Sequence, residues 1–274
     1  FNSTDYMLDL DQLEKMLSDK TRLVAVGCAS NATGGINPVK EICAMAHQAN
    51  ALVYLDAVHF GPHGLIDVAD WDCDFLACSS YKFFGPHLGT LWGRRKLLEE
   101  LAAYKVRPAS NQIPGKWMTG TPSHESIVGG MACIDYLADI GRQVSGQEDL
   151  PRRKALELAF QAIAEYENAL TSYLLDGLAR VPGVKVYGIT EPSQLERRFS
   201  TVSITHEAIQ TTELAQRLAD AGIYVWHGNY YALEFTHRLG LEPEGMVRIG
   251  LVHYNTFAEI DRLLEVVSNA AVAS

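Results

Sequence analysis

The chain has 274 residues, of which 47% are hydrophobic and 20% charged, and its formal net charge is −10 at pH 7. This apolar content excludes a disordered chain and suffices for a sizeable core in one large domain or two modest ones. The acidic balance, without a basic run interleaved with aromatic residues, gives no electrostatic support for nucleic-acid binding. No apolar run approaches the roughly 20 residues that a membrane span requires, so no membrane association is predicted.

The five cysteines form an odd set in mostly apolar surroundings. Such a set is typical of reduced, buried thiols and not of a disulfide scaffold. We therefore expect a cytoplasmic protein.

The first 150 residues alternate between helical and strand patterns. Apolar spacing predicts helices over 10–17 and Val39–Ala49, and apolar runs predict strands at Arg22–Ala29, Leu52–Asp56, Phe75–Cys78 and Leu88–Gly93. Nearly continuous apolar strands separated by long connections indicate a mainly parallel sheet covered on both faces. The predicted class is therefore α/β.

A long helix is predicted over Arg152–Arg180, between Pro151 and Pro182-Gly183. We place a domain boundary near its start, which gives a large domain at residues 1–150 and a smaller α+β domain at 151–274. The smaller domain is expected to hold a mixed or antiparallel sheet, with strands at Val184–Tyr187, Thr201–Thr205, Tyr224–His227 and Val247–Leu251 and helices at Thr212–Ala221 and Phe257–Ala270.

Polar residues that directly follow predicted strands are the first candidates for function, because ligands of open α/β sheets bind beyond the carboxyl ends of the strands. Asp56 ends one strand, and its alternative role is a helix cap or a structural ion pair. Lys82 follows another strand within Ser79–Pro86, where its alternative is a solvated surface lysine. A carboxylate and an amine at neighbouring strand ends are the two protein groups that pyridoxal phosphate chemistry requires.

Two other patterns give weaker predictions. The small-residue loop at Ser30–Pro38 reads, taken alone, as a turn into the following helix, and it lacks dinucleotide-binding glycine spacing. His59 and His63 have the spacing of helical zinc ligands, but Gly61-Pro62 between them opposes a helix, so no metal site is predicted.

Several motifs together resemble the class V aminotransferase family of fold-type I pyridoxal phosphate enzymes, with the closest likeness to the cysteine desulfurase and selenocysteine lyase branch. The motifs occur in the family's order over nearly the whole chain: Asn31-Ala32-Thr33-Gly34-Gly35-Ile36-Asn37-Pro38-Val39, Asp56-Ala57-Val58-His59, Ser79-Ser80-Tyr81-Lys82, Gly120-Thr121-Pro122 and Arg248-Ile249-Gly250-Leu251-Val252-His253-Tyr254-Asn255-Thr256. The resemblance implies fold-type I as the fold of the chain and pyridoxal 5′-phosphate as its cofactor.

It also implies roles for individual residues near the cofactor ring. Lys82 is expected to form the Schiff base and to shuttle the substrate's α-proton, and Asp56 to keep the pyridine nitrogen protonated. His59 is expected beside the phenolic oxygen of the cofactor. Asn31 is expected in the same region, where it also contacts the substrate.

The remaining residues are expected to contact the cofactor phosphate, the substrate or a second subunit. Ser79 is expected to bind the phosphate, and Thr121 to reach the phosphate of a neighbouring subunit, which implies a homodimer with shared active sites. Arg248 is expected to bind the carboxylate of an amino-acid substrate, because its planar fork suits that group. Tyr81 replaces a common family histidine, and its phenol can hydrogen-bond to the cofactor but does not titrate near neutrality.

Two departures from the family pattern refine the prediction. Within Val225–Ala232, Tyr231 stands where desulfurases of this kind carry a reactive cysteine. Persulfide formation then lacks its usual nucleophile, so we expect a desulfurase-like enzyme with lyase, transaminase or epimerase chemistry.

The second departure is upstream: no segment corresponds to the family's amino-terminal block, which includes the residue that stacks on the cofactor ring. The chain is therefore expected to be part of a longer protein. The rival hypothesis is a catalytically silent scaffold that keeps the fold for dimerisation or binding.

Overall fold

The computed structural model describes residues 1–2, 4–118 and 120–272, with side chains up to residue 270. These residues form nine α-helices and eight strands. The helices are α1 (Leu10–Met16), α2 (Val39–Gln48), α3 (Val68–Trp71), α4 (Arg95–Glu100), α5 (His124–Ser145), α6 (Arg152–Leu178), α7 (Thr211–Asp220), α8 (Leu233–Arg238) and α9 (Phe257–Val272). The strands are β1 (Leu23–Gly27), β2 (Leu52–Asp56), β3 (Phe75–Ser79), β4 (Gly89–Gly93), β5 (Val184–Tyr187), β6 (Thr201–His206), β7 (Trp226–Gly228) and β8 (Met246–Gly250).

The chain divides into two compact units. The Lys82 unit comprises Leu10–Cys28 and Pro38–Ala159, and the Arg248 unit comprises Phe1–Asp9, Ala29–Asn37 and Phe160–Ser274. The division thus falls inside α6. The boundary predicted at 150/151 concerns the domains of the whole protein and stays a prediction.

The sheet of the Lys82 unit has the order β1-β2-β3-β4. The first three strands are parallel, as predicted, but β4 runs antiparallel to β3. A connection of nine residues joins these two strands, too short for the crossover that a parallel pair requires. Helix α2 covers this sheet with an apolar stripe of buried side chains at helical spacing: Val39, Ile42, Cys43 and Ala46.

The Arg248 unit holds an antiparallel sheet of order β5-β6-β8-β7. Its core is formed by leucine, isoleucine and valine side chains of the sheet and of α6, α7 and α9. The predicted strand at Tyr224–His227 is displaced to Trp226–Gly228, where β7 pairs with β8. An α/β fold with a smaller α+β part is confirmed.

Helix α5 is the largest element without a sequence prediction. Gly129, Gly130 and Gly141 interrupt its apolar period and lower its intrinsic helix propensity. Its ends are nevertheless well capped, since the Ser123 side chain accepts a hydrogen bond from Ser126 and Gly146 ends the helix with a φ of 67°. None of the described helices is both long enough and apolar enough to cross a membrane.

Candidate active site

Asp56 lies at the carboxyl end of β2, in register with Gly27 of β1 and Ala77 of β3. Its main-chain oxygen accepts a hydrogen bond from Cys28 at 2.8 Å, which fixes the backbone at this edge of the sheet. The carboxylate is exposed, and its Oδ1 accepts the N–H of Val58 at 2.8 Å. Burial and, secondarily, the Asp56 charge raise the pKa of the nearby Cys28 thiol. An oriented carboxylate is therefore held at the strand end.

Lys82 lies in a 3₁₀ helix, Ser80–Phe83, that follows β3 without a gap. Ser80 closes this segment: its hydroxyl donates to the Pro86 oxygen at 2.6 Å, and its main-chain oxygen accepts from Gly85 at 2.8 Å. The Lys82 side chain is exposed, with Nζ 5.3 Å from the ring centroid of Tyr81. The amine thus lies at the same sheet edge as Asp56, beyond the neighbouring strand.

Three further predicted residues lie near these strand ends. Ser79 is the last residue of β3 and pairs with Gly89 of β4. Tyr81 stacks on His87 with ring centroids 5.0 Å apart. His59 follows the end of β2, and its half-buried ring lies 5.6 Å from that of the buried His63.

Thr121 is placed differently from the other predicted residues of the Lys82 unit. It is exposed in the irregular segment before α5. Among the described residues, no contact joins its side chain to the edge formed by β2 and β3. Its role therefore stays a prediction about a neighbouring subunit.

Arg248 lies on β8 of the Arg248 unit, between Ser203 of β6 and Trp226 of β7. Its Nη1 donates to the Asn31 main-chain oxygen at 3.1 Å, and its guanidinium carbon lies 4.8 Å from the ring centroid of Tyr230. Burial lowers the pKa of this half-buried guanidinium. Within residues 1–2, 4–118 and 120–270 it forms no ion pair with a carboxylate, so it can bind an anionic ligand.

Asn31 is the second residue of the small-residue loop at Ser30–Pro38, which forms the turn that the sequence predicts. The loop is closed by hydrogen bonds from Ser30 to the Gly35 oxygen at 2.8 Å and from Gly34 to the Ser30 oxygen at 2.9 Å. The Asn31 side-chain amide donates to the Tyr230 oxygen at 3.0 Å. The structure therefore brings Asn31 and Arg248 together.

Two residues around Arg248 escaped the sequence analysis: Tyr230 and Ser203. Tyr230 is buried, and its hydroxyl donates to the Ser203 hydroxyl at 3.0 Å. Burial raises the pKa of Tyr230 to about 12, so its phenol is neutral at physiological pH. The available signal was the alternation of small polar residues with the apolar Val202 and Ile204 along β6: Thr201, Ser203 and Thr205.

The residues of the Lys82 unit fit the cofactor that the family resemblance implies. Pyridoxal phosphate needs an amine for its aldehyde, an acid for its ring nitrogen and donors for its phosphate. Lys82, Asp56 and Ser79 supply these groups from the ends of two adjacent strands.

Comparison with known proteins gives consistent matches. The profile of the aminotransferase class-V family matches residues 2–263. A probable cysteine desulfurase of Synechocystis sp. is 31% identical over 269 residues, which are 94% of this chain and 59% of that protein. The aminotransferase-like protein FGM3 of Gibberella zeae is 32% identical over 264 residues, or 94% of this chain and 61% of that protein.

Solved structures agree on the fold. The apo cysteine desulfurase from Thermococcus onnurineus NA1 superposes with a TM-score of 0.84 at 24% identity, covering 100% of this chain and 66% of that one. The cysteine desulfurase CsdA from Escherichia coli gives a TM-score of 0.79 at 25% identity, covering 97% and 62%.

The chain spans only 59% and 61% of the length of these two curated relatives. The match nevertheless extends over nearly all of this chain and includes every motif described above. The chain therefore belongs to the aminotransferase class-V family, whose members are pyridoxal 5′-phosphate-dependent enzymes.

Proposed function

We propose that the protein containing this chain is a pyridoxal phosphate enzyme that acts at the α- or β-carbon of an amino acid. The observation that carries the proposal is the position of Asp56 and Lys82 at the carboxyl ends of the neighbouring strands β2 and β3. The bound cofactor supplies an electron sink for negative charge that develops on the substrate.

Each residue of the Lys82 unit receives a specific role in this proposal. The Lys82 amine would hold the cofactor through its aldehyde and would carry the substrate's α-proton. The Asp56 carboxylate holds a protonated ring nitrogen by an ion pair, and Val58 keeps that carboxylate oriented through its N–H. His59 and Tyr81 contact the cofactor ring, and Ser79 donates to the phosphate.

Substrate binding is assigned to the Arg248 unit. The Arg248 guanidinium binds the substrate carboxylate, which is supported by the half-buried cation without an ion pair among the described side chains. Asn31 orients that guanidinium through its main-chain oxygen. Thr121 reaches the phosphate of a second subunit, so the enzyme is a homodimer. The reduced cysteines favour the cytoplasm.

The test of Lys82 uses the full-length protein loaded with pyridoxal phosphate. We expect a visible absorption band that Lys82→Ala abolishes and that Lys40→Ala retains. Lys40 is the matched control because it is an exposed lysine paired with Asp70 at 2.6 Å, on helix α2. An unchanged band in Lys82→Ala would refute the role of Lys82.

The reaction type is tested with a panel of amino acids and identification of the products. Release of pyruvate or alanine would identify lyase or desulfurase chemistry. Amino transfer to a keto acid would identify a transaminase, and inversion at Cα would identify an epimerase. Tyr231 replaces the reactive cysteine of related desulfurases, so we expect no persulfide. Cofactor binding without turnover of any amino acid would favour the silent scaffold.

A further inference from the structure

We propose that Tyr230 is a positioning residue that holds the Arg248 guanidinium ready to bind the carboxylate of the substrate. The inference rests on the proposed function of Arg248 as the carboxylate-binding residue. It adds a determinant of amino-acid recognition in a loop whose sequence departs from that of related desulfurases.

The first line of support is the set of hydrogen bonds that hold Tyr230 in place. Its hydroxyl donates to Ser203 at 3.0 Å, and its main-chain oxygen accepts from Asn31 at 3.0 Å. Ser203 in turn donates to the Ala32 oxygen and lies in register with Arg248 on the adjacent strand. Hydrogen bonds thus connect Tyr230 to β6, the strand beside Arg248, and to Asn31, whose main-chain oxygen accepts from Arg248.

The second line of support is the backbone of the same loop. Tyr230 and Tyr231 have φ values of 37° and 64°, a region that non-glycine residues rarely occupy. Tyr230 is 5% exposed, whereas Tyr231 is 100% exposed. Two consecutive unfavourable conformations persist only where surrounding contacts hold them, and here they turn one ring inward onto Arg248.

The third line of support is the geometry of the guanidinium itself. The Arg248 guanidinium carbon lies over the Tyr230 ring, 4.8 Å from the ring centroid, which is cation–π distance. The Asn31 oxygen accepts from Nη1, and no described residue accepts from Nη2 or Nε. A ring packed against the guanidinium restricts the rotamers of Arg248, which lowers the entropic cost of binding a carboxylate.

The chain offers a matched control in Tyr187. It is also buried, belongs to the same apolar cluster as Tyr230, and its hydroxyl lies 3.1 Å from that of Thr205 on β6. No described contact joins its side chain to Arg248. Tyr187→Leu therefore removes an equivalent ring at an equivalent depth without uncovering the guanidinium.

The first experiment measures Arg248 directly, without reference to activity or cofactor. The full-length protein is treated with phenylglyoxal, and modification of the Arg248 peptide is followed by mass spectrometry. We expect Tyr230→Leu to speed this modification about tenfold because the guanidinium loses its cover. Tyr230→Phe, which keeps the ring, and Tyr187→Leu should stay within about twofold of the wild type.

The second experiment measures recognition of the carboxylate. The dissociation constants of L-alanine and of ethylamine, which lacks the carboxylate, are obtained from spectral titration of the loaded protein. We expect Arg248→Gln to lower the preference for L-alanine about a hundredfold and Tyr230→Leu to lower it about tenfold. Tyr230→Leu added to Arg248→Gln should cause no further loss.

The outcomes separate the two proposals. The role of Tyr230 would be overturned if Tyr230→Leu changed neither the rate of phenylglyoxal modification nor the preference for L-alanine over ethylamine. It would also be overturned if Tyr187→Leu had equal effects. Either result would leave the role of Arg248 intact. An unchanged preference in Arg248→Gln would overturn the role of Arg248 and, with it, the inference. Thermal unfolding of every variant identifies losses that come from misfolding.

Discussion

The side-chain amide of Asn31 donates a hydrogen bond to the main-chain oxygen of Tyr230, at 3.0 Å and across 199 positions of sequence. The main-chain oxygen of the same asparagine accepts from Arg248 at 3.1 Å. Asn31 thus connects the loop at Tyr230 to the cation on β8. The orientation of Arg248 consequently depends on two loops that are remote in sequence.

Gly245 lies close to Gly228, the last residue of β7, which leads into the loop at Tyr230. Gly245 has a φ of 65°, and a Cβ at this position would lie 2.1 Å from the Gly228 main chain. We expect Gly245→Ala to lower the free energy of unfolding by about 3 kcal/mol through backbone strain and overlap. Gly240 has a φ of 70° with nothing within 4 Å of its Cβ position, so Gly240→Ala should cost about 1 kcal/mol. Equal losses in urea unfolding would contradict the role of the close contact.

The buried carboxylate of Asp74 connects three elements of the Lys82 unit. It accepts from the Val53 N–H at 2.8 Å and from Arg94 at 3.0 Å, and it lies 2.9 Å from His47. Asp74→Ala leaves the buried Val53 N–H without its acceptor and removes one of the two carboxylates that Arg94 binds, the other being Asp72. We therefore expect a loss of about 2 kcal/mol in the free energy of unfolding.

The control for this prediction is an exposed ion pair. Asp70 and Lys40 are 2.6 Å apart, with both side chains more than half exposed. Asp70→Ala should therefore cost less than about 1 kcal/mol. The same denaturation experiment checks both variants, and a loss for Asp74→Ala no larger than that for Asp70→Ala would show that the buried network contributes little.

Asp67 caps α3, and its contribution to stability should depend on pH. The N–H of Asp70 and, with a smaller effect, the guanidinium of Arg153 hold the pKa of Asp67 below its usual value of 3.8. Because the folded-state pKa is the lower one, the stabilisation is present above pH 3.8 and is lost as the pH falls through the folded-state pKa. Asp67→Asn keeps the cap but removes the charge.

We therefore expect Asp67→Asn to be less stable than the wild type by about 0.5 kcal/mol at pH 7, a small value because the carboxylate is exposed. The difference should shrink steadily below pH 3.8. Urea unfolding at pH 7 and at pH 3 measures it. A difference that is the same at both values would show that the charge has no role.

The five cysteines should be unreactive in the folded protein. Four are buried and Cys78 is half-buried. Burial raises the pKa of each thiol, that of Cys43 to about 12, so the nucleophilic thiolate is scarce at neutral pH.

We expect iodoacetamide to label the cysteine peptides of this chain at least about tenfold more slowly in the native protein than in guanidinium. Mass spectrometry resolves the peptides individually. A peptide labelled as fast in the native state as in the unfolded one would reveal a reactive thiol and reopen persulfide chemistry for this chain.

Much of the Lys82 unit could be predicted because its signals are local. The run Leu52–Asp56 is apolar up to its final carboxylate, and the run beginning at Phe75 ends shortly before Lys82. Parallel strands bring their carboxyl ends to one sheet edge, so two local patterns predict one shared location. Helix α5 could not be predicted in this way, because its glycines weaken the periodic signal and packing and caps decide its conformation.

The sequence by itself determined the class of fold, the family and the strand ends that carry Asp56 and Lys82. Only the tertiary structure decided what surrounds Arg248, because the contacts of Asn31 and Tyr230 with each other and with their partners span 18 to 217 positions. Tyr230 differs from the exposed Tyr231 in burial, backbone and partners, although the two are adjacent and identical in type. No periodicity or composition distinguishes two such neighbours, since the distinction arises when separate strands and loops pack against one of them.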